Sequence, residues 1–290
     1  MERVEFTSGS LACVGHWHWP ADRKQPMPVI VMGHGFCAEW NFGTADIIAG
    51  YTQSGYAVFT FDYRGFGESQ GEPRQWLDID RELEDWHSAL AHVRANTRVD
   101  PGRLVIWGSS LGGGHALSIA ARDHDVAAVL AQVPHCDKRA AAPNISKLSL
   151  LKTLPHVLLD WIAARRGEVH TIPIVAEPGQ AGALAFPGWK ADYLRLVPES
   201  SNWRNALPAR SVPGMANYSP IETAVNIRCP VHICYATDDL GVPPTSVEKT
   251  AARIEKVETY LFKGDHFDVY FGECQVECMN RQLDFLSRVL

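Results

Sequence analysis

Leu104-Val105-Ile106-Trp107-Gly108-Ser109-Ser110-Leu111-Gly112-Gly113-Gly114 decides the fold of this chain. Four apolar residues run into a glycine, a serine follows two places on, and small apolar residues continue from Leu111 to Ala121. This reads as a strand, a sharp turn and a buried helix. In a G-x-S-x-G turn the glycines let the backbone reverse without side-chain collision. The central serine is left projecting above the sheet edge, near the positive end of the following helix. Counting through the motif makes Ser110, not Ser109, the nucleophile. Gly113 and Gly114 permit close packing of that helix against neighbouring backbone.

Outward from this turn, further apolar runs recur: Leu11–Trp19, Val29–Met32, Ala57–Phe61, Ala127–Gln132, Val231–Tyr235 and Val257–Phe262. Pro20–Pro28 supplies a polar turn between the first two. Most of the runs are continuously apolar rather than alternating, as strands of a parallel sheet covered on both faces require. Helical stretches lie between them. Trp76–Val93 carries Trp76, Leu83, Trp86, Leu90 and Val93 on one stripe. Thr245-Ser246-Val247-Glu248 has the form of a capping box, and Gln275–Leu290 can form a last helix with Leu283, Phe285 and Leu286 inward. The alternation predicts an α/β fold with a mostly parallel central sheet flanked by helices.

Residues 134–224 break the rhythm, with ten prolines between two orderly strands and short helical stretches such as Leu151–Ala164. A bare loop of that length is unusual in a compact domain. The expectation is a core of 1–133 and 225–290, with 134–224 as a predominantly helical cap over the carboxyl edge of the sheet.

The remaining chemistry follows predicted strands. His34-Gly35-Phe36 comes after Val29–Met32, and acyl transfer needs backbone donors aimed at the oxygen that becomes negative. The N–H groups of Phe36 and Leu111 are the best pair, with His34 structural. Gly264-Asp265-His266-Phe267 follows the last strand and places His266 as the base for Ser110. His115, five residues after the serine, is a poorer base. His16 and His18 share a strand face and can pair, without establishing a metal site. Asp238 and Asp239 follow Val231–Tyr235; Asp239 is favoured to orient His266 and steady its imidazolium form. Trp161, Phe186, Trp189, Tyr193, Trp203, Met215 and Tyr218 of the insertion could line an apolar substrate pocket, with Cys37 and Trp40 as its floor. Aromatics serve cores as well as pockets, so each has a packing alternative.

With these motifs in order, the chain resembles the α/β-hydrolase superfamily over roughly Val4 to Leu290. The order serine, aspartate, histidine is the one that fold requires. Asp62-Tyr63-Arg64-Gly65-Phe66-Gly67-Glu68-Ser69 is similar to the superfamily's D-x-R-G-x-G-x-S turn, which implies a structural role there. Arg64-Gly65-Phe66-Gly67 lacks the spacing and the lysine of a nucleotide-binding loop. Together with Gly264–Tyr270, the turn resembles fungal polyketide hydrolases and acyltransferases. A serine at the elbow, where epoxide hydrolases and haloalkane dehalogenases present aspartate, disfavours those activities.

The rest of the sequence bounds the reading. The chain has 290 residues, 46% of them hydrophobic, which suits one large catalytic domain. A net charge of −6, from 27 Lys and Arg against 33 Asp and Glu, gives no electrostatic reason to expect nucleic acid. The N-terminus lacks the apolar core of a secretory signal, and no apolar run is long enough for a membrane span. Seven cysteines with no CxxC pair predict reduced thiols and a cytoplasmic protein. Cys274 and Cys278, one helical turn apart, lack partners for a zinc site. No cofactor is needed. An exposed insertion can cover a pocket, a partner or both, which leaves room for a homodimer. The expected activity is serine hydrolysis of a small to medium hydrophobic ester or lactone through an acyl-enzyme. Thioester cleavage, polyketide acyl transfer, carbon–carbon bond hydrolysis and noncatalytic binding are the alternatives.

Overall fold

The apolar runs pair with one another into a single sheet. The structure, a computed structural model, describes residues 1–21 and 26–290. The turn expected over Pro20–Pro28 therefore falls partly outside the described residues. The strands are β1 (Glu2–Ser8), β2 (Leu11–His18), β3 (Met27–Gly33), β4 (Ala57–Phe61), β5 (Val99–Ser109), β6 (Ala128–Gln132), the short pair β7 (Thr171–Ile172) and β8 (Leu207–Pro208), then β9 (Val231–Ala236) and β10 (Val257–Phe262). The main sheet has the order β1-β2-β4-β3-β5-β6-β9-β10. It is antiparallel at β1·β2 and β2·β4 and parallel from β4 to β10.

Eight α-helices among the described residues complete the fold: α1 (Ala45–Gln53), α2 (Ile79–Arg94), α3 (Leu111–Ala120), α4 (Lys147–Ala164), α5 (Trp189–Leu196), α6 (Val212–Met215), α7 (Pro244–Ala251) and α8 (Gly272–Val289). Strands β4, β6 and β9 are buried at every residue. Successive side chains of β3 then feed two cores: Val29 and Val31 join the layer of α2 and α3, while Ile30 and Met32 join that of α1 and α8.

Three boundaries differ from the sequence reading for local reasons. Helix α2 starts at Ile79 rather than Trp76, because the Asp78 carboxylate caps it by accepting from the N–H groups of Asp80 and Arg81. The capping box expected at Thr245 is not formed. Pro244 already occupies the first helical turn, and the Ser246 hydroxyl donates instead to the carbonyl of Pro243 at 2.8 Å. Helix α4 starts at Lys147 rather than Leu151, because the Ser146 hydroxyl caps it by accepting from the N–H of Ser149 at 3.3 Å, and Pro155 lies inside it.

Besides the short pair β7 and β8, two elements escaped the reading. Strand β1 alternates exposed and buried residues at the sheet edge, and its charged Arg3 and Glu5 hide the pattern. Helix α1 is short and contains Gly50, which allows close packing: a Cβ there would lie 2.1 Å from the Met279 sulfur.

The Asp62–Ser69 turn ties the exit of β4 to its neighbours. Asp62 accepts from the N–H groups of Trp40 and Glu68, and Ser69 accepts from the N–H of Val14. The Arg64 guanidinium pairs with buried Asp85 of α2. These contacts hold the sheet edge that carries the candidate site.

His16 and His18 do not pair with each other. His16 meets Glu68 and His18 meets Thr60, and both rings pack on Trp40. All seven cysteines are free, and among the described residues no cluster of metal-ligating side chains forms. No described helix is long and apolar enough to cross a membrane.

Burial lowers His232 on β9 to about 4, below the ordinary value of about 6.5. The unfolded chain therefore takes up a proton at His232 as pH falls below about 6.5, whereas the folded chain waits until about 4. Stability contributed by the neutral ring is complete above about 6.5 and lost as pH falls toward 4. Urea titrations of wild type and His232→Gln should show their stability difference shifting against the wild type over that interval, and staying constant above pH 7.

Candidate active site

The strand-to-helix turn after β5 holds Ser110 in a conformation few residues adopt, φ 56° and ψ −121°. Its backbone is pinned on both sides: the Ser110 N–H donates to Gln132 at 2.8 Å, and its carbonyl accepts from His135 at 2.9 Å. Two glycines make the turn fit. A Cβ on Gly108 would lie 2.0 Å from the carbonyl oxygen of Gly112, and one on Gly112 would lie 2.4 Å from that of His34. The turn and the end of β3 are thus in backbone contact.

The loops after β9 and β10 bring the other two groups. The His266 Nε2 is 3.0 Å from the Ser110 Oγ, and its Nδ1 is 2.5 Å from the Asp239 Oδ2. Asp239 keeps its other oxygen on the N–H groups of Gly241 (2.9 Å) and Val242 (2.7 Å). Those two bonds fix the carboxylate, leaving Oδ2 to accept from the ring. Asp238 is exposed and accepts from the Thr237 hydroxyl. Asp265 accepts from the N–H of Phe267 and takes no part in the relay. His266 and Asp239 are both 3% exposed, so the relay is shielded from bulk water while its serine end faces a cavity.

Beside Ser110 runs the loop after β3. His34 bridges neighbouring backbone, its Nδ1 3.1 Å from the carbonyl of Gly35 and its Nε2 3.5 Å from the N–H of Tyr63. Burial holds it neutral by lowering it to about 4. Gly35 sits close enough that a Cβ there would approach the Ser110 Oγ to 3.9 Å. Phe36 and Cys37 follow, Cys37 with φ 49°. Their carbonyls are held from the 134–224 segment: the Tyr193 hydroxyl donates to Phe36 at 2.7 Å and the Trp203 Nε1–H to Cys37 at 2.8 Å. Trp189 of α5 stacks on His266 at 4.5 Å between centroids, in a space kept open by Gly241.

Behind the elbow lies a second buried polar group. His115 on α3 meets Glu82 at 2.8 Å and the Tyr218 hydroxyl at 2.9 Å. Burial raises the Glu82 carboxyl and lowers His115 to about 3. This cluster is directed away from Ser110 toward α2.

The expected pocket residues divide. Trp189 and Tyr193 line the cavity over Ser110, and Phe186 packs behind Trp189. Cys37 and Trp203 stand one layer back, joined to each other through the Cys37 carbonyl. Trp40 is turned to the far side of the loop against His16 and His18, while its backbone N–H donates to Asp62. Trp161 and Tyr218 border a separate surface cleft with Trp76 and Arg210, and Met215 packs against the core. Trp40, Trp161, Met215 and Tyr218 are therefore not part of the serine cavity.

The cavity wall also includes Phe42, Thr44, Leu184, Leu196, Phe267 and Tyr270. The period of α5, Trp189–Tyr193–Leu196, is the signal that could have added Leu196. Phe42 and Leu184 lie on irregular loops with no such pattern. The free space over Ser110 is about 30 Å³, where one water needs roughly 10–15 Å³.

A family model described as serine aminopeptidase, S33, matches residues 24–187. The chain belongs to this family of α/β-hydrolases. The quorum-quenching protein AidA of Acinetobacter baumannii is 34% identical over 288 residues, spanning 99% of this chain and 94% of the relative. Polyketide transferase ATR5 of Stachybotrys chlorohalonatus is 29% identical over 309 residues, spanning 100% of this chain and 97% of the relative. Among solved structures, the α/β hydrolase GrgF of Penicillium superposes with a TM-score of 0.83 at 25% identity, over 99% of this chain and 98% of that one. The fold and the family of this hydrolase are thereby settled.

Gly112→Ala tests the backbone contact beneath the elbow. The added methyl meets the carbonyls of Gly33 and His34, which cannot move without shifting β3. Calorimetry should show a lower Tm, with a cost of about 1–3 kcal/mol.

Proposed function

We propose that this α/β-hydrolase cleaves a carboxylic ester or lactone of a small to medium hydrophobic substrate, with Ser110, His266 and Asp239 as its catalytic residues. The observation that carries the reading is the continuous relay from the Ser110 hydroxyl through both nitrogens of His266 to a carboxylate already fixed by two backbone N–H groups.

The Ser110 oxygen attacks the substrate carbonyl while its proton passes to the His266 Nε2. The ring becomes an imidazolium, stabilised by Asp239 through Nδ1–H. The carbonyl oxygen takes the negative charge between the N–H groups of Phe36 and Leu111, and each such donor contributes about 3 kcal/mol in a dry site. The tetrahedral intermediate collapses, the bond to the leaving oxygen breaks, and the imidazolium returns its proton to that oxygen. Water then attacks the Ser110 ester, giving its proton to His266. The second collapse releases the acid and restores the serine hydroxyl.

The apolar wall of Phe42, Leu184 and Leu196 and the small free space favour a short acyl group against Ser110. A second reading, acyl transfer or thioester cleavage, has the same first half-reaction. The polyketide transferase relative favours it, as does the shielding of the relay, because excluded water lets another nucleophile compete for the acyl-enzyme.

Activity should be measured with esters and thioesters of graded acyl length, with and without an added alcohol or thiol acceptor. Ester turnover that falls at least about 10³-fold in Ser110→Ala supports the serine mechanism. Full activity in that variant would rule it out, and product appearing only with an acceptor would move the assignment to transfer.

Tyr193 positions the oxyanion loop from outside the reacting atoms. Tyr193→Phe removes only the donor to the Phe36 carbonyl, so kcat should drop about tenfold, equivalent to about 1.4 kcal/mol, while KM changes little.

A further inference from the structure

Helix α4 is built inside out. Its buried stripe is Ser149, Thr153, Val157 and Asp160, three of them polar. These groups are satisfied by the rest of the insertion. Ser149 accepts from the N–H of Gly179 at 2.8 Å and Thr153 from that of Gly182 at 3.1 Å. Asp160 accepts from the N–H groups of His170 at 2.7 Å and Arg210 at 2.9 Å. The opposite face is aliphatic and open. Leu150, Leu154, Leu158 and Ile162 are between 41% and 59% exposed, and Leu151 beside them is 67% exposed. An ordinary surface helix reverses this arrangement. Leaving such a stripe in water costs free energy that a solitary chain has no reason to bear.

We infer that this face of α4 is the contact surface for a second copy of the same chain, paired about a two-fold axis through the Leu154–Leu158 ridge. Three observations select this occupant. Leu150, Leu154, Leu158 and Ile162 are spaced by four, forming one continuous ridge. Ridges of that spacing seat in the matching groove of an identical helix at about −50°, so the surface is complementary to itself.

The size also fits. The exposed aliphatic side chains together with Trp161, 53% exposed, amount to roughly 600–800 Å² of apolar area, and one partner of a specific interface contributes about 800 Å². Finally, Lys147, Arg165 and Arg166 stand at the two ends of α4, Lys152 is turned aside to donate to the carbonyl of Gly179 at 2.7 Å, and none of these charges interrupts the ridge itself. A crossing at that angle carries the like-charged ends away from each other.

The pairing would set the two insertions back to back. Residues 171–211 hang from the polar side of α4 through Thr153, Asp160 and their partners, and they include Tyr193 and Trp203 on the loop beside Ser110. The interface therefore braces the segment that closes over the cavity.

Light scattering on the full chain at micromolar concentration should give twice the 32.1 kDa chain mass. Leu154→Glu with Leu158→Glu should raise the dimer dissociation constant at least 100-fold, leaving a monomer with an unchanged near-ultraviolet circular dichroism spectrum, since both side chains are exposed. Leu158→Cys should form a disulfide-linked dimer on oxidation. A monomeric wild type at high micromolar concentration would overturn the inference, as would a double variant that stays dimeric. So would a monomer that sediments with phosphatidylglycerol vesicles through this face, which would make the partner a lipid surface.

Discussion

Everything at the candidate site depends on the backbone contact between the turn after β5 and the end of β3. Gly112 rests against the carbonyls of Gly33 and His34, and Gly108 against Gly112 itself. Because no side chain intervenes, Ser110 is held at positive φ within reach of the loop that carries Phe36. A parallel sheet makes this possible: neighbouring strands β3, β5 and β6 end at the same edge, so the loops leaving them emerge together. The loops after β9 and β10 end at that edge as well and deliver Asp239 and His266 from the other side of the serine.

The 134–224 segment acts on this site through specific contacts rather than as a loose cover. Trp189 covers one face of the His266 ring, and Tyr193 and Trp203 hold two successive carbonyls of the loop after β3. The sheet edge carries Ser110, His266 and Asp239, while α5 and the chain around Trp203 limit their freedom and the volume above them. Rearrangement of this segment would alter the cavity size and the course of the loop after β3 together.

Buried polar groups elsewhere show how the core tolerates its charges. His34 and His115 are held neutral by burial, and each bridges two partners. Asp62 is raised to about 7 by the same cause, yet keeps two backbone N–H groups. These residues fix loops; the candidate relay uses a different histidine, one whose ring reaches the serine.

Much of this was legible in the chain alone, because its signals are local. Continuous apolar runs identify strands buried on both faces, and a serine between glycines after such a run identifies the elbow. Asp239 and His266 follow runs of the same kind, so strand order alone places them at one edge. Features that escaped the reading depend on contacts remote in sequence. Strand β1 is recognisable only once β2 is beside it, and α1 only once Met279 fills the space over Gly50. Aromatic residues of the 134–224 segment look alike in sequence, yet Tyr193 meets the loop beside Ser110 while Trp161 faces solvent. Composition determined that these side chains would seek apolar surroundings. Only the tertiary packing, in which Ser149, Thr153 and Asp160 turn one face of α4 inward by accepting from the N–H groups of Gly179, Gly182, His170 and Arg210, decided which of them found such surroundings within the chain.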